Sequence, residues 1–166
     1  MRSRTSDWFE VKFQYEKTQE DGTQKKVTEQ YVVDALSWGE AEEKITKEME
    51  AYVSGESKIK SIVPASYHEI FFSDKDEDDK WYKAKLAFIT IDEKTEKEKR
   101  TNVFYLVQAK STEDAQKNVK EVMGGTMIDY DILGINETKI MDVFEHEEGD
   151  KAKSPSKSSE PIDEFE

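Results

Sequence analysis

The sequence predicts an α+β domain: a tandem duplication of a β-β-α-β unit, with a mainly antiparallel sheet and two helices on one side. Three observations point there. Aromatic and β-branched residues alternate with polar ones in four runs, the signature of half-buried strands. Each pair of runs leads into an amphipathic segment that opens on serine. The whole order then recurs at an offset of 73 or 74 residues.

The first strand reads Trp8-Phe9-Glu10-Val11-Lys12-Phe13-Gln14-Tyr15. Phe9, Val11, Phe13 and Tyr15 form its more apolar row and are expected to face the helices, with Trp8, Glu10, Lys12 and Gln14 on the opposite face. The polar stretch Lys17–Lys26 contains Asp21-Gly22, a tight-hairpin dipeptide, and Tyr31-Val32-Val33-Asp34-Ala35 is the partner strand. Ser37-Trp38-Gly39-Glu40 reads as a capping box, and Ala41, Ile45, Met49 and Tyr52 follow at helical spacing. Gly55 is placed to cap that helix. Ile59-Lys60-Ser61-Ile62 and Tyr67-His68-Glu69-Ile70-Phe71 return as a strand that Pro64 makes bent or edge-like.

The second copy follows element by element. Trp81-Tyr82-Lys83-Ala84-Lys85-Leu86-Ala87-Phe88 lies over the first strand, with Lys85 on Lys12 and with Trp81, Lys83, Lys85 and Ala87 opposite the helices. Asp92–Arg100 is the turn, and Tyr105-Leu106-Val107-Gln108-Ala109 the partner. Ser111-Thr112-Glu113-Asp114 starts a helix carrying Ala115, Val119, Val122 and Met123, closed by Gly124-Gly125. Ile132-Leu133-Gly134-Ile135 and Ile140-Met141-Asp142-Val143-Phe144 return. Agreement over successive elements favours duplication over two amphipathic units that merely share a pattern. The expected boundaries are a first repeat at 1–73, an acidic linker at 74–80, a second repeat at 81–148 and an acidic tail at 149–166. The tail has little to bury and is expected to be disordered.

Composition narrows function. The 166 residues carry a net charge of −13 and no cysteine, which excludes disulfide scaffolds and thiolate chemistry. The last 21 residues hold seven acids against three lysines, leaving −9 for the first 145. Such acidity opposes general attraction to phosphates, so any nucleic-acid surface must be a local patch. No apolar run is long enough to span a bilayer, and the first residues lack the apolar segment of a secretory signal, so a soluble cytoplasmic protein is expected.

No catalytic constellation emerges. His68 falls in a strand and His146 beside the tail, neither next to a nucleophile or ligand set. Phosphate-binding glycine motifs and HExxH are absent, and the linker lacks the glycine and distal glutamate of an EF-hand. The expectation is a binding protein, not an enzyme, without cofactor or metal.

Tryptophan and lysine in one row suggest single-stranded DNA: Trp8 and Trp81 would stack bases while Lys12, Lys83 and Lys85 meet phosphates, joined by Lys94, Lys97, Lys99 and Arg100 at the second hairpin. Burial of both tryptophans at the junction of the repeats remains the other placement. The acidic charge equally suits a protein-interaction module or a regulator that mimics nucleic-acid charge.

The tail closes Pro161-Ile162-Asp163-Glu164-Phe165-Glu166, which resembles the C-terminal tip of bacterial and phage single-stranded DNA-binding proteins. That resemblance implies recruitment of replication or repair partners through Ile162, Asp163, Glu164 and Phe165, although here Phe165 is penultimate. From Met1-Arg2-Ser3-Arg4-Thr5-Ser6-Asp7-Trp8 through Tyr31–Ser37, the chain also resembles an uncharacterised (domain-of-unknown-function) family of small proteins from Bacteroides-type bacteria and their phages. This implies a bacterial or phage origin and brings no catalytic residues.

Overall fold

The computed structural model describes residues 1–145. In chain order the elements are β1 (Arg2–Arg4), β2 (Trp8–Thr18), β3 (Gln24–Asp34), α1 (Trp38–Met49), β4 (Ser57–Ala65), β5 (Tyr67–Phe72), β6 (Lys80–Ile91), β7 (Glu98–Ala109), α2 (Thr112–Met123), β8 (Asp129–Glu137) and β9 (Ile140–Phe144). The α+β class is as the sequence predicts. No helix among the described residues is long and apolar enough to cross a membrane.

The strands form two sheets, in the orders β4-β2-β3-β9 and β1-β5-β7-β6-β8. Each return segment is two strands, not one. β4 pairs with β2 in its own half, and after Ser66 the chain crosses so that β5 runs parallel to β7 in the other sheet. β8 and β9 repeat the manoeuvre, with β9 parallel to β3. Strands that switch sheets make the corners of a packed pair of sheets.

Register repeats as closely as element order does. The β2–β4 ladder slips between Lys12 and Phe13, skipping Lys60, and the β6–β8 ladder slips between Lys85 and Leu86, skipping Leu133. Likewise Tyr31 pairs with Asp142 and Val33 with Phe144, where Tyr105 pairs with Glu69 and Val107 with Phe71.

Burial divides into three clusters. Val11, Phe13, Tyr15, Tyr31 and Val33 pack under Ala41, Ile45 and Met49 of α1. Tyr82, Ala84, Leu86, Tyr105 and Val107 pack under Ala115, Val119 and Met123 of α2. The third cluster joins the sheets: Trp8 and Val32 from one, Ile70, Phe72, Trp81 and Leu106 from the other, with Ile140 and Val143 on β9. The molecule is therefore layered helix–sheet–sheet–helix, so each helix covers the outer face of its own sheet and the two do not share one side.

Local chemistry sets the element ends. Ser37 Oγ accepts from the Glu40 amide at 3.1 Å, and Ser111 Oγ from the Asp114 amide at 3.2 Å, satisfying helix donors that would otherwise lack partners. At the β2–β3 turn Gly22 takes φ 86°, and Asp21 accepts from the Thr23 amide at 3.0 Å. Pro64 sits on β4, an edge strand, where a residue without a backbone N–H is tolerated. Gly55 does not cap α1: the helix ends at Met49 with Glu50 in helical geometry, and Tyr52 lies beyond it. β1 has no counterpart in the sequence reading, since three polar residues carry no apolar alternation.

Candidate functional site

The expected stacking residues go to the core. Trp8 and Trp81 are each 2% exposed, packed between the sheets, so neither ring offers a face to a base. Of the two placements the sequence allows, the structure has burial at the junction of the repeats and not an open tryptophan row. The row faces away from the helices as expected, but its first residues are covered by the opposite sheet. Trp81 meets Phe72 edge-on at 5.6 Å.

The lysines of that row are divided between sheets. Lys12 is exposed on β2, Lys83 is exposed on β6 and Lys85 is half-buried there. Lys83 Nζ lies 4.6 Å from the Phe104 ring centre and 6.0 Å from that of Tyr67, so its cation already rests on aromatic faces. Lys97 is exposed in the β6–β7 turn, and Lys99 and Arg100 are exposed on β7. The Arg100 guanidinium meets Asp131 at 2.8 Å and Glu98 at 3.7 Å. Ile162, Asp163, Glu164, Phe165 and His146 lie outside the described residues. His68 is exposed on β5 with its ring edge-on to Phe88 and Tyr105, 5.5 Å from each. Among the described residues no group of three or more His, Asp or Glu side chains is placed to hold a metal ion. In the linker, Asp78 turns inward, 3% exposed, and accepts from Ser73 Oγ.

Three arrangements were not anticipated. The first is a charge network at the seam between the sheets. Arg2 donates twice to Glu145 at 2.7 Å, Arg4 reaches Glu145 at 3.4 Å and Asp34 at 2.8 Å, and Ser6 Oγ donates to the buried Asp34. Burial pushes the Glu145 carboxyl upward, but its bonds from Arg2, the Arg2 charge and Arg4 outweigh this and hold it below the usual range.

The second is a hollow of about 350 Å³ between β2, β3, β9 and the end of α1. On its floor Glu29 accepts from the hydroxyls of Tyr15 and Tyr31, both at 2.8 Å, and from Lys17 at 3.2 Å. Burial works against the Glu29 carboxylate, yet the three bonds together keep its pKa low. Met49, Tyr52, Met141 and Phe144 supply apolar wall, and Asp142 a second carboxyl that burial pushes upward.

The third is an apolar spot at the start of α1. Leu36 is 76% exposed and Trp38 53%. Leu36 borders a hollow with Phe9, Pro64 and Ala65, rimmed by Asp7. At the equivalent positions of the second half stand Lys110 for Leu36, Thr112 for Trp38 and Glu137 for Pro64. Neither the shared backbone course nor the core requires this difference.

A family described as Domain of unknown function (DUF4494) matches residues 7–146. The chain belongs to that family. The DUF4494 match takes in both hairpins, both helices and the strand exchange, and so all but β1 of the described architecture. No curated protein and no solved structure matches the chain.

Proposed function

We propose that this DUF4494 protein is a non-enzymatic binding module whose ligand is a protein with a basic surface, engaged through Leu36 and Trp38. The exposure of these two large apolar side chains, two residues apart at the start of α1, carries the reading, because tryptophan is among the commonest anchors of interaction sites. Glu40, Glu42 and Glu43 follow on α1 and Asp7 lies across the hollow, so the complementary rim is cationic. The net charge of −13 would steer such a partner inward.

Single-stranded DNA is the less favoured ligand, since the two tryptophans proposed to stack bases are core residues. Shared register, bulges included, supports descent of both halves from one duplicated unit. A cytoplasmic setting in a bacterium or phage, and partner recruitment by the last residues, belong to the proposal on sequence resemblance alone.

The test is peptide display on the immobilised full chain. Selected peptides are expected to combine Lys or Arg with an aromatic or aliphatic anchor, and their binding to weaken about tenfold or more on Leu36→Glu or Trp38→Glu. Selections that bind both variants as tightly as the parent chain would overturn the reading. So would salt-sensitive binding of a fluorescein-labelled single-stranded oligonucleotide that quenches tryptophan emission.

A further inference from the structure

We infer that the outer edge of β9 is a second docking place, where an extended basic segment of a partner protein adds as a strand and lowers one apolar side chain into the hollow beside it. This is a different surface from the Leu36–Trp38 spot, and it rests on different observations.

β5 and β9 are equivalent strands with the same register on equivalent partners. The outer edge of β5 is taken: β1 pairs with it antiparallel, Arg2 opposite Phe72 and Arg4 opposite Ile70. Met1, just ahead of β1, packs against the core cluster under α2, with its ammonium 3.4 Å from Glu121. Among the described residues β9 ends its sheet, and nothing stands where β1 stands on β5. An uncovered strand edge is the ordinary template for strand addition, and on β9 the Val143 amide is already held by the Asp142 carboxylate at 2.8 Å.

The side chains differ in the same sense. In the second half, His68 fills its place by packing on Phe88 and Tyr105. Its counterpart on β9 is Met141, which is 50% exposed, and Tyr52 on the far wall is 67% exposed. Two large apolar groups are thus left in water around a hollow wide enough for a leucine- or methionine-sized side chain. Charge selects the occupant. Glu29 and Asp142 face Lys17 in the hollow, an excess of one acid, within a described body of net charge −9. The one segment known to fit the equivalent edge, Met1-Arg2-Ser3-Arg4, is itself basic with an unbranched apolar residue.

The experiment titrates the full chain with three fluorescein-labelled heptapeptides: alternating lysine and leucine, alternating glutamate and leucine, and the lysine–leucine peptide with alternate amides N-methylated. The lysine–leucine peptide is expected to bind at least about tenfold more tightly than the glutamate one, and N-methylation to abolish binding. Tyr52→Asp or Met141→Asp should weaken it about tenfold, whereas Leu36→Glu and Trp38→Glu should leave it unchanged. Equal binding of the N-methylated peptide, or indifference to Tyr52→Asp and Met141→Asp, would overturn the inference. If the peptide binds only after Ile162→Ser and Phe165→Ser, the chain's own last segment is the occupant and the assignment to a partner falls.

Discussion

Arg2 and Glu145 hold each other through two parallel bonds of 2.7 Å, tying the start of the described chain to its end. The same carboxylate takes Arg4, and Arg4 takes the buried Asp34, so the clamp continues into the interior.

Removing Glu145 should therefore loosen both β1 and β9. Glu145→Gln is expected to lower stability by about 1 kcal/mol at neutral pH, given that Arg2 is more than half exposed. Because the folded-state pKa of Glu145 is depressed, its contribution is full above the unfolded value and is lost as pH falls through the folded one. Urea unfolding of parent and variant should converge as the pH is taken well below the ordinary carboxylate range. A gap that persists into acid would show that the clamp is not the cause.

Glu96 adopts φ 58° in the β6–β7 turn, where the other hairpin has Gly22. A side chain in the left-handed region costs about 1–2 kcal/mol, partly offset by the unfolded-state freedom that glycine brings. Glu96→Gly should raise stability by about 0.5–1 kcal/mol, read as a higher urea midpoint at unchanged slope. Gly22→Ala should act in the opposite direction.

Glu29 is the common acceptor for two buried tyrosines. Glu29→Ala is expected to cost about 1–3 kcal/mol, since the Tyr15 and Tyr31 hydroxyls would lose their partner. Burial, then the bond to Glu29, pushes the Tyr15 hydroxyl up to about 12, and burial raises Tyr31, Tyr67 and Tyr105 as well. With folded values raised, stability is full below the unfolded tyrosine pKa near 10 and falls as pH rises through the folded values. Ultraviolet titration should leave these four protonated until alkali unfolds the chain.

Trp38 is the one tryptophan of three that solvent reaches. Acrylamide should quench a fraction of the emission, and Trp38→Phe should remove that fraction while leaving the Trp8 and Trp81 signal intact. Strong quenching of the variant would contradict the burial of both rings.

Much of this was legible in the residues. Alternation from Trp8 to Tyr15 and from Trp81 to Phe88 located the hairpins, and Ser37 and Ser111 marked both helix starts, because these signals are local. What covers each face was not local. Trp8 sits in the correct row, yet periodicity shows only which side a residue takes, not that Ile70 and Leu106 of another sheet press upon it. The parallel pairs β3–β9 and β5–β7 join segments far apart in sequence, and an apolar return strand fits either sheet equally well. Leu36 and Trp38 stayed hidden inside a capping motif whose job is backbone chemistry. The Glu29 hollow depends on four elements that meet only in the fold.

The strand exchange also orders events on the ribosome. β5 is synthesised before β7, so the second sheet finds its borrowed neighbour ready as it forms. β3 is in the reverse position: its neighbour β9 is the last described strand to be made. A nascent chain halted before Ile140 presents Val32 and the rim of β3 uncovered, an edge open to mispairing with other chains. For this protein, β9 must be made before the first half is safe from aggregation.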